Sequence, residues 1–343
     1  MQNRTTSFWG GAAVAALLVT AGGADAGQDR TWTQPPAQTF NAHTITLDHV
    51  IADVTIAVRD GGPATVSIQG PRYLVNEIHA QGANNALTIT GPDSYGNNSV
   101  NVWDWTKWFD YSDVQEGHLK IALTVARGSD VNARHMIGDL SAGDLGGHLY
   151  IETISGDVKV GRVADAKLKV VGGGDISVAG VQNSLQLDIA GSGDVKVGNV
   201  GGAAGVTVAG SGNTTLGTVG SGVNANIAGS GDLVVQNVNG PVSISMAGSG
   251  DVKIAGGNAN PLKISMVGGG DFSFAGTAVN PTISAIGSGD VWLAAYTGHL
   301  SSSGMADVRI GKDHDSDDDD NGNRHHMRMP PVPPVPPLPR HNG

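Results

Sequence analysis

Three groups of residues in this sequence have types and spacings suited to chemistry. The first is an aromatic run, Val102-Trp103-Asp104-Trp105-Thr106-Lys107-Trp108-Phe109-Asp110-Tyr111, with five of the chain's sixteen aromatics in nine residues. Trp and Tyr rings stack on sugar faces, and Asp104 and Asp110 can accept hydrogen bonds from sugar hydroxyls. Trp and Tyr are also enriched at protein interfaces generally. In an extended segment Trp103 and Trp105 would share one face, opposite Val102, Asp104 and Thr106. Trp103, Trp105, Trp108, Tyr111, Asp104 and Asp110 are therefore the candidate ligand contacts. The competing reading is a loop that seals the end of a stacked core, as terminal repeats require. One segment could do both.

The second group lies near the C-terminus: His314, Asp315, His325 and His326, beside a run of aspartates at 317–320. Imidazole with carboxylate suits zinc, nickel or copper. No ligand spacing defines a closed site, and a solvated tail fits the same residues. The third group is a series: Asp157, Asp175, Asp194, Asn213, Asp232, Asp251, Asp271 and Asp290, with a degenerate member at Asp307. Stacked carboxylates suggest calcium, which takes six to eight oxygens. One column offers too few, and Lys159, Lys196 and Lys253 offset its charge. The alternative is a turn role, in which the side chain hydrogen-bonds local backbone N–H groups in an Asx-type turn. Asn213 would serve that role as well as aspartate. Catalysis finds little support. There is no Gly-x-Ser-x-Gly elbow and no His-Glu-x-x-His, and histidine is scarce between residues 150 and 298. The expectation is no enzyme and no cofactor.

The Asp series also reveals what positions these residues. Its steps are 18, 19, 19, 19, 19, 20, 19 and 17 residues, a period that signals a solenoid. The position one after each corner is Val158, Ile176, Val195, Thr214, Leu233, Val252, Phe272, Val291 and Val308; three after, Val160, Val178, Val197, Leu216, Val235, Ile254, Phe274, Leu293 and Ile310. Seven before stand Tyr150, Leu168, Leu187, Val206, Ala225, Ile244, Ile264, Ile283 and Leu300. The intervening columns are Ser, Thr, Asn and Lys. Alternation of period two inside a 19-residue repeat puts one side of each strand into a shared core. About nine such coils, about 4.8 Å apart, would make a rod roughly 40 Å long. Glycines before each corner, as in Gly191-Ser192-Gly193, let the backbone turn sharply.

Composition agrees. Glycine accounts for 52 of 343 residues, without a Gly-X-Y period, and there is no cysteine. Disulfides and thiolate metal sites are thereby excluded. The formal net charge of −11 argues against a nucleic-acid partner. Residues 1–26 read as a signal peptide: Arg4, a short apolar core at 12–20, and Ala24-Asp25-Ala26 as the cleavage site. That core is well short of the ~20 residues a membrane span needs, and no transmembrane segment is expected in the mature chain. Residues 27–42, with Pro35-Pro36, read as a linker. Residues 43–134 read as a strand-rich N-terminal portion with an aromatic insertion at 100–112, in which 119–125 fits a hairpin partner with the aromatic run at its tip. A single helical turn is allowed at 73–78. Residues 135–311 form the repeat solenoid, and 312–343 an Asp/His/Pro-rich disordered tail.

The Gly-Ser-Gly-Asp-Val/Leu corners beginning at 191, 229, 248 and 287, with the strands Ile45 to Val58, Val66-Ser67-Ile68 and Leu87-Thr88-Ile89, resemble the head GIN domain of auto-transporter adhesins. This is an exported bacterial domain of unknown function, and the likeness covers roughly residues 40–310. It implies an all-β fold, a right-handed parallel β-helix (β-solenoid), and an envelope or adhesive role. It brings no catalytic residues. An auto-transporter ends in a membrane barrel of alternating strands, whereas residues past 311 are acidic and proline-rich. The tail and the aromatic run look like additions to the family pattern.

Together these features point to an exported, non-enzymatic β-solenoid of a Gram-negative cell envelope, in the periplasm, at the outer membrane or outside it. It would bind or adhere to an envelope component or glycan. Two other readings remain open: a structural spacer, and a periplasmic metal-binding protein using the tail. An exposed β edge at a solenoid end would also allow a homodimer.

Overall fold

The computed structural model describes residues 31–91 and 119–311. The expected signal peptide, the aromatic run and the tail lie outside the described residues. Apart from one helical turn, Arg72–Val75, the regular elements are strands.

One coil shows the construction. In Ala204–Gly210, Ala204, Val206 and Val208 point inward. After the Gly210-Ser211-Gly212 corner, Thr214–Val219 directs Thr214, Leu216 and Val219 inward. Each strand lies parallel and in register with its copy one coil on: Ala204 opposite Val223 through to Gly210 opposite Gly229, and Thr214 opposite Leu233. Coils of about 19 residues thus stack into a β-solenoid whose core is the inside of every coil. Val197, Leu216, Val235, Ile254, Phe274 and Leu293 form one buried interior file. Burial of each such side chain contributes about 1.5–3 kcal/mol. Thr214 occupies an otherwise apolar file, is fully buried, and its hydroxyl has no hydrogen-bond partner.

Stacking at this spacing requires the corner glycines. Gly229 has φ +136°, and a Cβ there would stand 2.2 Å from the Gly210 carbonyl oxygen. The backbone conformation and the close approach both demand glycine.

The first coils are built differently. Thr44–Asp48 lies between Ala86–Thr90 and Asp130–Ile137, parallel to both. Asp53–Arg59 lies likewise between Lys120–Ala126 and Leu140–Ala142. The first coil in sequence is therefore second in the stack, and strands on both sides of residue 135 share one hydrogen-bonded ladder. Antiparallel strands cover that end. Ala64–Pro71 pairs with Lys120–Ala126, and itself receives Gln38–Phe40 and Trp32–Thr33; His79–Ala83 pairs with Ala86–Thr90. Residues 32–40, read from sequence as linker, thus contribute two short strands to the cover. The segment 119–125 differs from expectation too. Its antiparallel partner is Ala64–Pro71, not Ala86–Thr90 across the aromatic run, because those two strands belong to different walls of one coil.

Candidate functional site

The corner residues form a continuous ladder. The backbone N–H of Asp194 donates to Asp175 Oδ1 at 2.9 Å, Asn213 N–H to Asp194 Oδ1 at 2.8 Å, and Asp232 N–H to Asn213 Oδ1 at 3.1 Å. The same bond links Asp139 to Asp157, Asp157 to Asp175, and onward through Asp251, Asp271 and Asp290, at 2.8–3.2 Å. This corrects the Asx-turn reading. The side-chain oxygen reaches the next coil, where the corner N–H has turned out of the sheet ladder and needs an acceptor. Only Oδ1 is used, so an amide serves as well as a carboxylate, which explains Asn213. The ladder begins earlier than the sequence series, with Asp139 N–H 3.4 Å from Asp53 Oδ1.

The outward columns carry whatever chemistry the described residues offer. One runs Thr46, Asn132, Tyr150, Lys167, Gln186, Gly205, Asn224, Ser243. Counting back from Asp157 had placed Tyr150 in the interior file; the structure places it outside. Ile151, not Tyr150, stands opposite Leu168. That coil has one residue fewer between strand and corner, and a slip of one residue moves a side chain to the other face. Irregular pairing of His148–Ser155 with Asp130–Ile137 marks the same place.

Around Tyr150 the surface is charged and concave. The Arg134 guanidinium and Lys167 ammonium each lie 5.7 Å from its ring centroid. Its hydroxyl donates to Glu152 Oε2 at 3.3 Å, and Lys169 Nζ holds Glu152 Oε1 at 2.6 Å. Burial opposes ionisation of Glu152, but the Lys169 hydrogen bond and charge outweigh it and hold the carboxyl below its usual range. Partial burial, followed by the charge of Glu152, raises the Tyr150 phenol above its ordinary value. A shallow groove of about 330 Å³ runs along this column, lined by Asn132, His148, Tyr150, Asp165, Lys167 and Gln186. His148 Nδ1 and Asp165 Oδ2 face each other at 3.2 Å on its edge.

At the neighbouring strand ends stand two histidines that sequence reading missed. His49 and His135 follow the paired residues Asp48 and Arg134, have φ of +54° and +51°, and stack with ring centroids 4.4 Å apart. Asp48 Oδ1 lies 3.0 Å from His49 Nδ1 and 3.3 Å from His135 Nδ1. The sequence held a signal: His49-Val50-Ile51-Ala52-Asp53 and His135-Met136-Ile137-Gly138-Asp139 place a histidine four residues before a corner aspartate. It becomes visible only when the corner series is extended back to Asp53.

The aromatic candidates Trp103, Asp104, Trp105, Trp108, Asp110 and Tyr111, and the tail candidates His314, Asp315, His325 and His326, lie outside the described residues. The residues bracketing the aromatic segment are anchored at this same end of the stack. Gly91 N–H donates to the Asp48 carbonyl at 3.1 Å, and Asp53 N–H donates to the Leu119 carbonyl at 2.9 Å.

Stacked coils of about 19 residues, glycine corners and an inter-coil Asp ladder define a β-solenoid. The family described as "Putative auto-transporter adhesin, head GIN domain" matches residues 49–241 and 237–314, and the chain belongs to that family. No curated protein matches it. Among solved structures it is similar to a "putative adhesin" from Bacteroides fragilis NCTC 9343, at 15% identity over 82% of this chain and 98% of that one, with a TM-score of 0.31. A "putative adhesin" from Parabacteroides merdae ATCC 43184 aligns at 13% identity over 82% and 96%, with a TM-score of 0.37. A "putative lipid binding protein" from Parabacteroides distasonis ATCC 8503 aligns at 16% identity over 82% and 97%, with a TM-score of 0.36. Among the described residues no helix is long and apolar enough to cross a membrane.

Proposed function

We propose that this chain is an exported, non-enzymatic binding module of the bacterial cell envelope, with its contact surface on the N-terminal coils. The observation that carries the reading is the groove beside Tyr150. An outward aromatic ring, the Lys167 ammonium and the amides of Asn132 and Gln186 line one column, with the Arg134 guanidinium also beside the ring. Such a surface suits a polar polymer, with sugar rings against the tyrosine and hydroxyls or carboxylates at the amides and cations. A glycan or another polar envelope component is the ligand class. Family membership supports the adhesive role, and the residue 1–26 pattern supports export.

Trp103, Trp105, Trp108 and Tyr111, with Asp104 and Asp110, belong to the same reading as further contacts. Two observations favour contact over capping for them. Their flanking residues are fixed beside Asp48 and Asp53, and the N-terminal end of the stack already carries antiparallel strands as its cover. A second reading, the structural spacer, draws on the long run of coils whose outward columns are mostly Ser, Thr, Asn and Lys.

The test is binding of the purified protein to a glycan array and to isolated cell envelopes, beside Tyr150→Ala and a Trp105→Ala/Trp108→Ala variant, each checked for folding by circular dichroism. Saturable binding lost in either folded variant supports the module and places its site. Absence of binding by the unaltered protein favours the spacer.

A further inference from the structure

We propose that Asp48, His49 and His135 form a binding site for a divalent transition-metal ion of the zinc type. This site is separate from the tail histidines and goes beyond the binding role argued above. One carboxylate oxygen and two imidazole nitrogens lie within 4.8 Å of one another, on partly buried side chains. Zinc holds such ligands at about 2.0–2.2 Å in a tetrahedron, so two neighbouring ligand atoms stand about 3.3–3.5 Å apart. Asp48 Oδ1 is 3.0 Å from one Nδ1 and 3.3 Å from the other, within a few tenths of an ångström of that edge. The rings, now stacked 20° from parallel, would turn about Cβ–Cγ to direct their Nδ1 lone pairs at the ion. The ion then sits between the two imidazoles and Asp48.

The backbone gives a second, independent observation. Both histidines sit in the left-handed region, at matching positions in adjacent coils. That conformation costs a non-glycine residue about 1–2 kcal/mol, and glycine would avoid the cost. It directs two imidazoles from successive strands to the same carboxylate. The donor set selects the ion. Nitrogen ligands suit zinc, copper and nickel, whereas calcium and magnesium require oxygen. Three protein ligands also leave a tetrahedral ion with one position for water or an external donor, the arrangement of an open zinc site.

The experiment uses the purified full-length chain with His314→Asn, His325→Asn, His326→Asn and His341→Asn, which removes the four tail imidazoles. Zinc is titrated calorimetrically, and cobalt is followed by its visible absorption. His49→Asn and His135→Asn are compared in this background, because asparagine also tolerates the left-handed conformation. The expected result is one ion per chain in the parent. Either substitution should weaken binding by more than the ~10–100-fold of an outer-shell change, with an unchanged circular dichroism spectrum. Zinc should also raise the melting temperature of the parent but not of His135→Asn. A parent that binds no ion, or a folded His135→Asn that binds with the parent's stoichiometry and affinity, overturns the proposal.

Discussion

The coils up to about residue 190 and the coils that follow share a core and differ in what they turn outward. In the later coils the register repeats without interruption from Leu185–Gly191 to Val223–Gly229 and shifts only beyond, at Gly240/Val242 and Phe274/Thr277, and the outward column beside it reads Gly205, Asn224, Ser243, Lys263. In the earlier coils the chain order is interleaved, the pairing is irregular at His148–Ser155, and the same column carries Asn132, Tyr150 and Lys167. Each coil of a solenoid is stabilised by its neighbours. A repeat therefore settles on the residues that stack best: glycine at the corner, an acceptor after it, and small polar groups outside. Side chains with distinctive chemistry collect where the period breaks, because a bulge or a shortened coil re-aims a residue that the repeat would have buried.

The largest effects should come from the corners of the regular coils. Gly229→Ala needs a left-handed alanine and forces its Cβ against the Gly210 carbonyl. A loss of about 3 kcal/mol or more is expected from conformation and overpacking together, seen as a lower denaturation midpoint. The same constraint holds at Gly172 in an earlier coil, with φ +140° and a Cβ 2.2 Å from the Ile154 carbonyl oxygen; the contrasting site is the next residue, Gly173, where an added Cβ meets nothing within 4 Å. Gly173→Ala should leave the midpoint almost unchanged, and an equal loss at both sites would contradict the close-approach explanation of the corner.

The Asp ladder should respond next. Asp232→Leu removes the acceptor for Asp251 N–H and should cost about 1–2 kcal/mol. Asp232→Asn should cost little, because Asn213 already fills the same place one coil earlier. Equal losses for both substitutions would restore importance to the charge itself. Thr214→Val should act in the opposite direction. It removes a buried, unpartnered hydroxyl from an apolar file and should raise stability by about 1 kcal/mol in chemical denaturation.

The smallest effect concerns pH and belongs to the earlier coils. The Ser184 hydroxyl, the Asn183 amide and the Ser184 N–H together hold the Asp165 carboxyl below its usual range. Its folded value is thus below the unfolded value of about 3.9. The stability it confers is present above that unfolded value and is lost as pH falls through the folded one. Asp165→Asn should therefore lower stability slightly above about pH 4, with the difference from the parent shrinking as pH falls below it. A loss that persists undiminished in acid would contradict the assignment.

Much of the fold could be read in the sequence, because a 19-residue period exposes its own columns: the buried files at Val197 and Leu216, and the corners at Asp194 and Asp232, are plain by alignment alone. The corner mechanism was not legible, since an Asx turn and an inter-coil bond use the same residue types and differ only in which N–H is near. Tyr150 was misplaced because counting from a corner assumes equal coils, and its coil is one residue short. His49 and His135 went unseen because their partners are adjacent in the stack but 86 residues apart in the chain (135 − 49), and the interleaved first coil hides that adjacency. The six aromatic-run candidates and the four tail candidates rest on sequence alone.

The most direct test of the account is a matched pair on one outward column. Tyr150 and Asn224 occupy equivalent positions on that column, one in the earlier coils and one in the regular ones. Binding of the unaltered protein, Tyr150→Ala and Asn224→Ala to isolated envelopes would be measured under one buffer condition. The account predicts that Tyr150→Ala loses at least about tenfold in affinity, the ~1.4 kcal/mol of a single strong contact, while Asn224→Ala binds like the parent. Equal binding by all three, or equal loss by both variants, would contradict a contact surface confined to the N-terminal coils.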